Sequence, residues 1–227
     1  MQIKHVFFDL DHTLWDFERN SALAFQEIFL IHNIDISLEE FLNIYIPLNL
    51  DLWKLYREDK ISKSLLRYKR LKDTFSLLNM EVSDDIINQL SDDYITYLPK
   101  FNYLFNGSVE LLDYLKNSYK LHIITNGFEE VQIKKMKASN IFNYFDTIIT
   151  SESVGVKKPN PEIFKFSLEK AIAKAQESIM IGDNLEADIQ GAISSGLSAI
   201  HCNFDKISSI PQNITSVQSL LEIKQYL

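Results

Sequence analysis

Three observations predict an α/β fold in which a doubly wound parallel, Rossmann-like sheet carries an inserted all-helical domain. Short apolar runs rich in β-branched and aromatic residues recur along the chain, as buried strands do. From Ser108 onward they alternate with amphipathic stretches of helical length, the long crossovers that parallel strands need. Between Asn20 and Leu98 the alternation stops, and helical periodicity runs on without a convincing strand.

In chain order, residues 3–8 form the first expected strand, which ends at Asp9. Further strands are expected at 121–124, 147–150, 178–181 and 198–202, separated by helices at 108–117, 129–139, 161–174 and 185–195. The insertion reads as a bundle of four helices at 21–32, 38–58, 63–79 and 84–98. Ser37 with Glu40 fits a capping box, and Ser83 can cap the last of these helices with Asp84 and Asp85 in its first turn. The expected domains are therefore a core of residues 1–16 and 105–227 and a helical insertion of residues 17–104.

Composition narrows the function classes. With 227 residues, 46% hydrophobic and 24% charged, the chain can bury a sizeable core, which excludes disorder and collagen. A single cysteine, Cys202, rules out an internal disulfide and a Cys-rich zinc site, and it fits a reducing compartment. No apolar run approaches the ~18 residues of a membrane span, and residues 1–5 lack a signal peptide's apolar stretch, so the expectation is a cytoplasmic protein without a membrane partner. A net charge of −8 argues against a nucleic-acid polymer as partner. Residues 54–72 run against that charge, with eight basic residues against two acidic ones, and read more readily as a solvated helix face than as an anion-attracting surface.

The nucleotide-binding, zinc-protease and esterase signatures are absent: there is no G-x-x-x-x-G-K-[ST], G-x-G-x-x-G, H-E-x-x-H or G-x-S-x-G. What remains is a set of polar residues at the carboxyl ends of the expected strands, where open parallel sheets bind ligands. Asp9 and Asp11 follow the first strand, Thr125 and Asn126 the second, and Asp183 the fourth, while Lys158 precedes Pro159 beyond the third. A strand-end Asp alone often only caps a turn. Crowded carboxylates repel each other, and a hard divalent cation with oxygen ligands, Mg²⁺, relieves the repulsion. Beside a lysine and a threonine hydroxyl such a cation suits a phosphate oxygen. An ionised Asp there can attack phosphorus, and a second Asp two residues on can move the proton.

Asp9-Leu10-Asp11-His12-Thr13-Leu14 resembles the D-x-D-x-T-L motif of the haloacid dehalogenase superfamily. Thr125-Asn126-Gly127, Lys158-Pro159-Asn160-Pro161 and the Gly182–Asp188 run, of G-D-x-x-x-x-D form, are similar to its other three motifs, in the expected order. The resemblance spans essentially the whole chain and includes a helical cap after the first motif. It implies Asp9 as nucleophile and Mg²⁺ ligand, Asp11 as general acid/base and ligand through its backbone carbonyl, and Asp183 as the third protein ligand. It further implies Thr125 and the Asn126 region as phosphoryl binders, Lys158 as the cation offsetting nucleophile and phosphate, and Asp188 and Thr13 as supports of the site. Asp188 also reads as a helix N-terminal charge that favours the dipole.

Asp11 favours phosphoryl transfer over dehalogenation, because dehalogenases of the superfamily carry no Asp there. Residues 11–17, with His12 where many relatives have Gly, resemble the branch that includes pyrimidine 5′-nucleotidases, as do residues 53–75 with Arg67 and Arg70 one helical turn apart. Trp15 and Phe17 offer faces for a base or, more simply, packing surface. The expected substrate is a small phosphate ester, foremost a pyrimidine nucleoside 5′-monophosphate. Sugar-phosphate phosphatase, phosphomutase and a non-catalytic binding module remain the alternatives.

Overall fold

The computed structural model describes residues 2–204, 206, 208 and 210–227. Its strands are β1 (His5–Phe8), β2 (Lys120–Thr125), β3 (Thr147–Thr150), β4 (Ser178–Gly182), β5 (Ser198–Cys202) and β6 (Thr215–Val217). They form one sheet in the order β3-β2-β1-β4-β5-β6, with every pairing parallel. The chain steps outward from β1 in both directions, so the order reverses beside β1, the kind of switch point where open α/β sheets bind ligands. The short strand β6 was not expected. Its three residues, Thr-Ser-Val, carry too little apolar pattern to be read locally, and pairing with β5 defines it.

Alternation along the strands decides which side chains meet which layer. Phe7, Ile124, Ile149 and Met180 share one face and pack with Ile163 and Phe164 of helix Pro161–Ala171 and with Ala192 and Leu197. The expected helix at 185–195 begins instead as a π-helical turn at Leu185–Gln190 and tightens to α only at Gly191–Ser194. Asn184 caps the wide turn, and its carbonyl accepts from Asp188 N at 2.9 Å and from Ile189 N at 3.3 Å. Such turns concentrate at functional sites.

The chain divides into two compact units, residues 1–17 with 102–227 and residues 18–101. The second unit is the helical insertion, built from α1 (Phe17–Ile31), α2 (Leu38–Arg57), α3 (Lys63–Leu77) and α4 (Asp84–Tyr97). Helix α1 starts four residues earlier than its periodicity suggests. The expected caps are present at Ser37 and Ser83, and Ser62 adds a third, accepting from Leu65 N at 3.2 Å. An aromatic cluster of Phe25, Phe29, Phe41, Tyr45, Phe75 and Tyr94 fills the bundle. Acids answer much of the basic stretch, in the pairs Lys60–Glu58, Arg67–Asp92, Lys69–Asp73 and Lys72–Asp84. This is the solvated face rather than an open positive surface, and exposed pairs of this kind contribute little to stability. Among the described residues, no helix is long and apolar enough to cross a membrane.

Candidate active site

Asp9 leaves the sheet at the end of β1, at the reversal of strand order, with its N–H bonded to Ile181 O at 2.9 Å. Its carboxylate is buried, and Lys158 Nζ stands 2.6 Å from Oδ1. The same ammonium lies 2.6 Å from Asp188 Oδ1 and donates to Ile124 O at 2.6 Å. One cation therefore ties the loop after β3 to the ends of β1, β2 and β4.

Asp183 follows β4, and Thr13 Oγ1 donates to its Oδ1 at 3.2 Å. Asp188 turns back so that its Oδ2 accepts from Asn184 N at 3.0 Å. A Cβ at position 182 would collide with that carboxylate, which explains why Gly182 stands before Asp183. Asp9, Asp183 and Asp188 each place a carboxylate oxygen within 4.8 Å of the other two. Burial lifts Asp9 well above the usual carboxylate range against the pull of Lys158, and Asp188 and Asp183 lift it further. Asp183 is pushed up to about 7, by burial first and then by Asp188. Burial alone would lower Lys158, but Asp188 and Asp9 outweigh it and hold its ammonium above the ordinary lysine value. Three crowded carboxylates with a single ammonium among them make an all-oxygen, charge-rich donor set that fits a hard divalent cation.

The Asp11 carboxylate lies apart from that cluster. Lys135 Nζ is 2.6 Å from its Oδ1, and Gln132 Nε2 donates to its Oδ2 at 2.9 Å. Both residues sit on helix Glu129–Ala138, and both are buried. Between Asp9 and Asp11 the chain makes a tight loop in which Leu10 O accepts from Leu14 N and Trp15 N at 3.0 and 2.8 Å. His12 takes the left-handed conformation there, φ 62°, and donates its N–H to Trp15 O at 3.0 Å. Glycine adopts that conformation without cost, so His12 acts in the loop through its backbone.

Thr125 Oγ1 accepts from Gly127 N at 3.1 Å and from Gln132 Nε2 at 2.8 Å, which leaves its own hydroxyl hydrogen to donate. The Asn126 side chain is spent on the Lys158 backbone, donating to Lys158 O at 3.0 Å and accepting from Lys158 N at 2.8 Å. It clamps one strand-end loop to another. Trp15 is fully buried, and Lys135 Nζ stands 4.2 Å from its ring centre and 5.1 Å from that of Phe17. Packing is thus the use made of Trp15, and the face considered for a base belongs to a lysine.

The model of the haloacid dehalogenase-like hydrolases matches residues 3–196, which include all of these side chains. The chain belongs to that family. Among its relatives, the pyrimidine 5′-nucleotidase YjjG of Escherichia coli strain K12 is 33% identical, over 98% of this chain and 96% of that protein. A glyceraldehyde 3-phosphate phosphatase of Methanothermobacter thermautotrophicus is 30% identical, over 99% of this chain and 100% of that one. The solved HAD-hydrolase YfnB of Bacillus subtilis, a magnesium-bound form, superposes with a TM-score of 0.90 at 28% identity, covering 100% of this chain and 99% of that one.

Three residues of this haloacid dehalogenase-like hydrolase escaped the sequence reading. Gln132 and Lys135 lie on the buried stripe of their helix between Val131 and Met136, and polar residues on an otherwise apolar stripe are the signal that could have found them. His201 Nε2 donates to Asp183 O at 2.8 Å, and burial lowers its pKa. Nothing local marks His201, since β5 reaches Asp183 only through the sheet.

Proposed function

We propose that the chain is a Mg²⁺-dependent phosphatase of small phosphate monoesters, working through an aspartyl-phosphate on Asp9, and that a pyrimidine nucleoside 5′-monophosphate is its substrate. The Asp9 carboxylate carries this reading: it is buried at the end of β1, 2.6 Å from Lys158 Nζ and beside two further carboxylates. Relatives that bear phosphatase names support it.

Asp9, Asp183 and the Asp11 backbone carbonyl would hold the cation, with Asp188 supporting them, and when bound it would offset the charge of carboxylates and phosphate. Asp9 attacks phosphorus as the ester P–O bond breaks, and Asp11 gives its proton to the departing oxygen. Asp11 then takes a proton from water, whose oxygen attacks the aspartyl-phosphate, releasing phosphate and restoring Asp9. Lys158 stabilises the transferring group, and Thr125 turns its uncommitted hydroxyl hydrogen to a phosphoryl oxygen. Gln132 and Lys135 hold the Asp11 carboxylate in orientation.

Substrate choice is read from YjjG, with the glyceraldehyde 3-phosphate phosphatase favouring a three-carbon sugar phosphate as the second reading. The lone cysteine, Cys202, buried and unpaired, fits the cytoplasm. The test is phosphate release from UMP, dUMP, CMP, AMP, glyceraldehyde 3-phosphate and glucose 6-phosphate, compared as kcat/KM. A triose or hexose phosphate preferred tenfold over every nucleotide would overturn the nucleotidase assignment.

A further inference from the structure

Strands β4, β5 and β6 stand side by side, and their parallel register sets Gly182 against His201 and His201 against Ser216. Paired residues of neighbouring strands share a face, so these three positions form a row that meets β4 one residue before Asp183. His201 is buried in that row, and its Nε2 reaches past Gly182 to Asp183 O at 2.8 Å. A carbonyl only accepts, so Nε2 carries the ring hydrogen. In the neutral ring that leaves Nδ1 to accept from Ser216, whose Oγ is 3.3 Å away. The short strand β6 thus supplies the group that holds His201 in the tautomer its bond to Asp183 needs.

The bond falls on a peptide unit that is gripped at both ends. Its carbonyl, on Asp183, takes the His201 hydrogen, and its N–H, on Asn184, goes to Asp188 Oδ2 at 3.0 Å. Asp188 is itself anchored, 2.6 Å from Lys158 Nζ. The register of β4 with β5 ends at Gly182, so strand pairing does not hold the peptide that follows, and a side chain from β5 does so instead. Turning that peptide plane would swing the Asp183 side chain out of its place beside Asp9 and Asp188. Thr13 Oγ1, at 3.2 Å from Asp183 Oδ1, steadies the carboxylate but not the backbone that carries it.

We infer that His201 is a positioning residue of the metal centre: through the Asp183 carbonyl it fixes the Asp183 carboxylate, and so gives the carboxylate set its preference for Mg²⁺ over Ca²⁺. Mg²⁺ demands near-ideal octahedral geometry, whereas Ca²⁺ accepts oxygen ligands in looser and more variable arrangements. A carboxylate free to wander therefore costs Mg²⁺ affinity first. The inference rests on the reading of Asp183 as a metal ligand and extends it to a residue of the neighbouring strand.

The test is calorimetric titration of the full chain, without substrate, with Mg²⁺ and separately with Ca²⁺, as wild type, His201→Gln, His201→Asn and His201→Leu. Glutamine can set its amide nitrogen where Nε2 lies, whereas asparagine reaches only as far as Nδ1. His201→Gln should keep the wild-type Mg²⁺ affinity within about threefold, while His201→Asn and His201→Leu should lose about tenfold or more. Their Ca²⁺ affinity should fall much less, so the preference between the two ions narrows. Should His201→Leu fail to fold, the comparison of Asn with Gln decides. Unchanged Mg²⁺ affinity in His201→Asn and His201→Leu overturns the inference. Equal losses for both ions, or a loss in His201→Gln as large as in His201→Asn, make His201 a packing residue and overturn it as well. The titrations need no turnover, so a result against His201 leaves the phosphatase reading standing. A wild type that binds neither ion overturns the metal assignment, and this inference with it.

Discussion

Lys135 sets its ammonium 2.6 Å from Asp11 Oδ1 while almost none of its side chain reaches solvent. A buried lysine facing a carboxylate two residues beyond the expected nucleophile governs where that carboxylate points. Lys135→Met should therefore damage the proton step rather than phosphate binding. The expected loss in kcat on alkyl phosphates is on the order of 10²–10³, with a much smaller loss on p-nitrophenyl phosphate, whose leaving group needs little protonation. Lys135→Arg should recover part of it. Equal losses on both esters would remove Lys135 from the proton step.

Asp9→Asn should abolish phosphate release, by roughly 10⁴-fold or more, and leave the circular-dichroism spectrum unchanged, because the amide keeps the shape without the nucleophile. Radiolabelled substrate should tag the wild type, quenched in acid, and not the variant. Turnover near the wild-type rate in Asp9→Asn would end the covalent mechanism.

Chelation should silence the enzyme, and added Mg²⁺ or Mn²⁺ should restore it, because the donor set around Asp183 is oxygen throughout. Asp183→Ala should raise the Mg²⁺ concentration for half activity at least tenfold. The thermal midpoint without metal should not fall, since the variant loses a crowded carboxylate. Full activity after exhaustive dialysis against chelator would refute the metal assignment.

His122, paired with Phe7 across β1 and β2, supplies a pH signature of the fold. It is buried, stacked on Phe7 at 4.6 Å, with His5 Nδ1 3.0 Å from its Nε2 and Thr147 Oγ1 2.8 Å from its Nδ1. Burial, then the neighbouring His5, lowers its pKa from 6.5 to about 4. The unfolded chain takes up the proton at about 6.5 and the folded chain only near 4, so stability should fall as pH drops through that window. The contribution is on the order of 3 kcal/mol. Denaturant unfolding at pH 7 and pH 4.5 should show a shallower decline in His122→Gln than in wild type, and parallel declines would rule the histidine out.

The alternation of apolar runs and helical stretches determined the parallel sheet and the helical insertion, because hydrophobic periodicity is a local property that survives in one dimension. The same holds for Asp9, Asp11, Thr125 and Asp183, each placed at or just past a strand end by its neighbours in the chain, and for Lys158 in the loop beyond β3. Tertiary structure alone decided which of them meet. It sent Asp11 to Gln132 and Lys135, drew Asp188 through the π-helical turn to Lys158, spent the Asn126 side chain on a loop and covered Trp15 with a lysine. It also buried Arg70 against Tyr94 inside the bundle, where its turn-spaced neighbour Arg67 is paired with Asp92. Such outcomes depend on contacts between residues far apart in the chain and on the burial of charge, and neither is written in local spacing.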